Sequence, residues 1–101
     1  MKIFNAFSIN MLPGDSEVLF ERISLWEIGK KNLESYIGHQ DTANVISGIL
    51  GIEPLPMNRQ SITLEREETC IIAQYAGSRL PEGATTLPEG AKITFWKVTI
   101  S

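Results

Sequence analysis

The stretch from Ile37 to Pro56 constrains the fold more than any other part of the chain. Ala43, Ile46, Ile49 and Leu50 recur at helical spacing, and Val45 widens the apolar stripe. Gly51 suits the left-handed position that follows a helix, while Pro54 and Pro56 prevent the helix from continuing. Asp41 reads as the N-cap. His39 then stands just before the first turn, where free backbone N–H groups make a ready anion site.

The segments around this helix read differently. Residues 2–7 form a short, mostly apolar strand suited to the centre of a sheet. Pro13-Gly14-Asp15 signals a turn, and residues 17–23 form a second strand. Ser24 with Glu27 makes a capping box, which predicts a helix over about 24–34 with Leu25, Ile28 and Leu33 inward and Gly29 weakening it. Residues 60–65 alternate as a strand, Arg66-Glu67-Glu68 turns, and residues 69–76 return as a strand paired antiparallel with the one before. Gly77, Pro81, Gly83, Pro88 and Gly90 mark 77–91 as a long loop, and residues 92–100 alternate as a terminal strand. The expectation is a single α+β domain over 1–101: a small mixed sheet of about five strands with two flanking helices.

A chain of 101 residues can bury only a modest core, so a deep cavity is hard to build inside it. A cavity between two copies solves that problem, and a homodimer is expected on size alone. Apolar residues make up 43% and charged residues 21%, as in an ordinary globular domain. The net charge of −3 argues against general binding of double-stranded nucleic acid, whose affinity comes mainly from Lys and Arg on phosphates. The single cysteine, Cys70, rules out an intrachain disulfide and reads as a small buried hydrophobe within Cys70-Ile71-Ile72-Ala73. The apolar stretches are too short to cross a membrane, and Met1-Lys2-Ile3-Phe4-Asn5 does not open a secretory signal. The expected location is cytoplasmic, in a cell or an infected host.

His39 is the only histidine, and so the only side chain suited by nature to both give and take a proton near neutrality. Position alone leaves two readings open: an acid/base group, or a residue that hydrogen-bonds locally before a helix. A lone His without a Cys or His companion argues against zinc, so neither metal nor cofactor is expected. Arg59 and Arg79 lie in Pro- and Gly-rich segments, where an Arg clamps a phosphate or simply stays solvated. Glu82 could act as a base or orient His39. Ser8, Asn10 and Thr42 suit ribose and phosphate oxygens as well as local caps. No phosphate-binding Gly-rich loop, serine triad or Cys–His pair is present.

Four strings in order carry a resemblance: Asn5-Ala6-Phe7-Ser8-Ile9-Asn10-Met11-Leu12, then Ile37-Gly38-His39 with Thr42 and its helix, then Asn58-Arg59, then Arg79-Leu80-Pro81-Glu82-Gly83. From about residue 3 to 100 the chain resembles the viral type III anti-CRISPR ring nucleases, whose relatives also occur in bacteria and phages. The resemblance implies a homodimer with a two-fold cleft for cyclic tetra-adenylate, which activates ancillary nucleases of type III CRISPR defence. It implies cleavage without a metal into linear di-adenylates with 2′,3′-cyclic phosphate ends. By matching position, His39 would be the general acid, Glu82 would assist proton transfer or orientation, and Arg79 would hold Glu82. Arg59 would reach the ligand from the other subunit, and Ser8, Asn10, Thr42 and the weaker match Gln74 would line it. Gln40 and Asp41 stand where that family carries small hydroxylated residues, and the loop after Glu82 is short. A protein that binds the ring without cutting it is the alternative.

Overall fold

The computed structural model describes all 101 residues. Five strands form one mixed sheet: β1 (Lys2–Phe4), β2 (Val18–Ile23), β3 (Glu34–Tyr36), β4 (Thr69–Ala76) and β5 (Lys92–Ile100), in the order β2-β5-β4-β1-β3. One α-helix, α1 (Gln40–Leu50), joins β3 to β4. β1 runs parallel to both neighbours, with Ile3 opposite Ser35 and Ile71. β4 and β5 pair antiparallel over their whole length, from Thr69–Thr99 to Ala76–Lys92, and β5 pairs antiparallel with β2. The α+β class, the mixed sheet and the central place of the N-terminal strand all agree with the sequence.

Period-2 side-chain alternation gives the sheet two apolar faces. On one, Ala43, Ile46 and Leu50 of α1 pack against Ile3, Ile71, Ala73 and Phe95. Leu50 and Ile46 are fully buried, which stabilises the fold by about 1.5–3 kcal/mol for each such side chain. Gly51 closes the helix at φ 71, the left-handed position that its lack of a Cβ allows. Buried Ser47 donates to Ala43 O (2.6 Å) and accepts from Leu55 N–H (2.9 Å), fixing the chain that leaves the helix. On the other face, Phe4, Cys70, Ile72, Val98 and Ile100 are covered by Met11 and Leu64. Met11 belongs to a 3-10 turn, Ile9–Met11, and its carbonyl accepts from Leu64 N–H (2.7 Å).

Three expectations are corrected. The helix over 24–34 is only a 3-10 turn, Leu25–Glu27. The Ser24 N–H does donate to Glu27 Oε2 (2.7 Å), but Asn32 sits at φ 61 and Glu34 begins β3. Ile28, Leu25 and Leu33 still face the core, along an irregular path. There is therefore one α-helix, not two. Residues 60–65 form no strand, because both edges of β4 are already taken by β1 and β5. Their alternation reflects Ile62 and Leu64 packing on one side. Just before this segment the chain is fastened to β3 and the residue after it: Asn58 N–H donates to Ile37 O (2.9 Å) and Asn58 Nδ2 to Ser35 O (3.0 Å). Finally, the first strand ends at Phe4 rather than residue 7, since Asn5 and Ala6 bend away.

Candidate active site

β1, β3 and β4 run parallel, so their carboxyl ends lie at one edge of the sheet. Open sheets with parallel strands bind ligands beyond such ends. Here the chain leaving β1 supplies Asn5, the chain leaving β3 supplies His39 and Thr42, and the end of β4 with its following loop supplies Gln74, Tyr75, Arg79 and Leu80. Together they line a cleft of about 360 Å³. His39, Thr42, Gln74 and Arg79 are thus brought together, while Ser8, Asn10, Arg59 and Glu82 lie elsewhere. Asn5, Tyr75 and Leu80 were not foreseen. Asn5 opens the first motif string, but nothing in the sequence shows that its Oδ1 accepts from Gly38 N–H (3.2 Å), which ties β1 to the turn before α1.

His39, not Asp41, is the N-cap of α1. Its extended backbone (φ −144, ψ 131) lets Nδ1 accept from Asp41 N–H at 3.2 Å. With Nδ1 accepting, the neutral imidazole carries its proton on Nε2. Nε2 has no protein partner, and the side chain is exposed on the rim of the cleft. Asp41 turns the other way: its Oδ2 accepts from Gly83 N–H at 3.0 Å.

Arg59 docks behind His39, its Nε donating to Gly38 O (2.8 Å) of its own chain. It does not line the cleft. Arg79 does line it, yet forms no ion pair with Glu82; the one pair in the chain joins Lys2 to Glu68. Glu82 is exposed outside the cleft, so the expected Arg79–Glu82 contact is absent. The loop that carries both leaves β4 through Gly77 at φ 145, where an added Cβ would lie 2.8 Å from Ala91 Cβ. Only glycine fits that close approach to Ala91, the residue before β5. The Tyr75 hydroxyl donates to Ser78 O and pins the turn.

Ser8 and Asn10 line a separate pocket of about 280 Å³ with Phe4, Met11 and residues 60–63. Ser8 Oγ accepts from Asn10 N–H (3.3 Å), so this serine also serves as a local cap. No charged side chain lines this pocket. Next to the cleft, Phe7, Phe20, Ile72 and Trp96 form an apolar depression that shares Gln74 with it. Phe7 and Phe20 meet edge to face at 5.3 Å, and the Arg22 guanidinium lies 5.7 Å from the Trp96 ring centre.

Cys70 is fully buried, and burial pushes its thiol up to about 11, so it is inert as a nucleophile. No three His, Cys, Asp or Glu side chains gather where they could hold a metal ion. No helix is long and apolar enough to cross a membrane.

The model of the family described as STIV B116-like matches residues 1–96. The fold is similar to the solved structure of B116 of Sulfolobus turreted icosahedral virus, with a TM-score of 0.75, 25% sequence identity and 97% of each chain covered. No curated protein sequence matches the chain. A family match over nearly the whole length, together with one fold across nearly the whole of both chains, places this protein in the STIV B116-like family of viral proteins.

Proposed function

We propose that the chain is a metal-independent phosphodiesterase that opens cyclic tetra-adenylate, acting as a homodimer and so silencing type III CRISPR signalling. The observation that carries this reading is the placement of the lone imidazole. His39 stands beyond the ends of three parallel strands, in one cleft with Arg79, with Nε2 free of any protein partner. Phosphate would lie at the start of α1, where backbone N–H groups and the Arg79 guanidinium favour an anion. The uncharged Ser8–Asn10 pocket suits a ribose or a base. The aromatic depression meets the cleft at Gln74, so a second copy seated there would enlarge the cleft beyond what one small domain can enclose. Arg59 keeps its terminal nitrogens free and would extend toward the ligand held by the partner.

In the reaction, a ribose 2′-OH attacks the adjacent phosphorus in line and its proton passes to water or a base. The bond from phosphorus to the 5′-oxygen breaks, His39 protonates that oxygen, and a 2′,3′-cyclic phosphate remains. The resting ring can donate a hydrogen bond from Nε2. To give the proton away outright it must first be protonated at Nδ1, which ends the contact with Asp41 N–H. His39 is therefore a helix cap at rest and an acid when working. Glu82 takes part only if its loop swings toward the cleft.

The test is incubation with excess protein in chelator, read by chromatography. Linear product is expected, and His39→Ala should bind the ring but cut ~10²–10⁴-fold more slowly. Undiminished cutting by that variant would remove His39 from its role. The second reading is sequestration without cleavage, favoured by the position of Glu82 outside the cleft and by the engaged Nδ1. Tight binding with the ring recovered intact would establish it.

A further inference from the structure

We infer that Asp41 is a positioning residue that latches the Arg79–Gly83 loop to the helix carrying His39, and so holds the cleft in its ligand-ready shape. The carboxylate sits in the first turn of α1 and reaches across 42 positions of sequence to accept from Gly83 N–H at 3.0 Å. Gly83 lies at φ 78 in the turn closed by Ala84 N–H donating to Pro81 O (3.1 Å). That turn follows directly on Arg79 and Leu80, which form one wall of the cleft. The main chain of Asp41 meanwhile donates to His39 Nδ1 (3.2 Å), on the other wall. One residue thus touches both walls, by backbone on one side and by side chain on the other. The loop then passes close to the helix, since the Thr85 carbonyl lies 3.6 Å from where a Cβ on Gly48 would stand.

The latch needs an acceptor of this length. A carboxylate in the first helical turn also suits the helix dipole. A hydrogen bond from an N–H to a charged acceptor is among the stronger ones, and its loss frees a loop that has no other anchor of that strength. The same charge, though turned toward Gly83, stays in the first turn near any phosphate bound at the helix start, so latching and repulsion oppose each other and can be told apart.

The kinetic half of the test rests on the ring-opening reading; the structural half does not. Amide exchange of Gly83, measured by NMR without nucleotide, should speed up about tenfold or more in Asp41→Ala and stay near the parent rate in Asp41→Asn, which keeps an acceptor oxygen. Amides in the middle of α1, such as Val45 and Ile46, should be unchanged in both and report that the fold is intact. Binding of cyclic tetra-adenylate should weaken, or KM rise, in Asp41→Ala, with kcat less affected because His39 itself is unchanged. Asp41→Asn should bind as tightly as the parent or more so. If Gly83 exchanges equally in parent and Asp41→Ala, the latch does not exist. If the two variants bind equally and both more tightly than the parent, Asp41 acts only as a repelling charge. Either result overturns the inference, whether or not the ring is cut.

Discussion

The two faces of the sheet are closed in different ways. On one, a single helix with a regular apolar stripe seals Ile3, Ile71, Ala73 and Phe95, and nothing large and apolar from α1 remains exposed. On the other, a 3-10 turn and an irregular segment cover only part of the surface, leaving Phe20 at 49% exposure beside half-buried Phe7 and Trp96. A regular helix presents its side chains at a fixed spacing, so it can fill a sheet face completely. An irregular cover leaves gaps, and these gaps are where the uncharged pocket and the aromatic depression lie. The helix face carries the larger buried cluster, and the second face, though it has its own core, keeps apolar surface exposed.

Truncating a side chain on each face tests this contrast most directly. Leu50→Ala should cost about 2–5 kcal/mol in denaturant unfolding, because Leu50 is fully enclosed and the cavity cannot collapse. A loss under 1 kcal/mol would mean that the helix face contributes less than its burial implies. Phe20→Ser should change the stability of the isolated chain by no more than about 1 kcal/mol, since half the ring is already in water. It should, however, abolish the proposed dimer in sedimentation. A dimer that persists in Phe20→Ser would move the proposed interface away from the aromatic face.

The smallest effect belongs to neither face. Lys2 and Glu68 pair between β1 and the turn before β4. Burial alone would raise the Glu68 carboxyl, but the Glu65 N–H and Lys2 outweigh it and hold it below the usual carboxylate range. The hydrogen bond that Lys2 donates to Glu68 is the main cause that raises Lys2. The Glu68 share of stability is therefore present above the ordinary glutamate range and lost as pH falls through its lowered value. The Lys2 share is present below the ordinary lysine range and lost as pH rises through its raised value. Melting of Lys2→Met across pH should lie below the parent by about 1 kcal/mol or less on the plateau between these limits, and the difference should shrink in strong acid. A gap that widened in acid would contradict the assignment.

Several elements were legible because their causes are local. The stripe Ala43–Leu50 and Gly51 specify a helix and its end whatever surrounds them. The strands β4 and β5 were legible as two segments separated by a Gly- and Pro-rich loop, but their antiparallel pairing with each other was not, since 69–76 was expected to pair with 60–65. The capping box at Ser24 also formed, yet a capping box starts a turn without obliging it to continue. Residues 60–65 alternate for a reason the chain cannot display, namely that β4 had no free edge to offer. Among the site residues, His39 and Thr42 could be placed together from their spacing on one helix start. Gln74 and Arg79 join them only because β4 runs parallel to β1.

By itself, then, the sequence determined a small α+β domain with one sound helix, one imidazole at that helix's start and no second group of comparable chemistry. Its periodicities and turn residues act over a few neighbours, and these features need nothing more. Tertiary structure alone decided that His39 rather than Asp41 caps α1, that Asp41 reaches Gly83, that Glu82 stands apart from Arg79, and that Ser8 and Asn10 open onto a second pocket. The reach to Gly83 and the second pocket depend on which strands neighbour one another, and strand order is set by the joint burial of both sheet faces, a condition that no short stretch of residues contains.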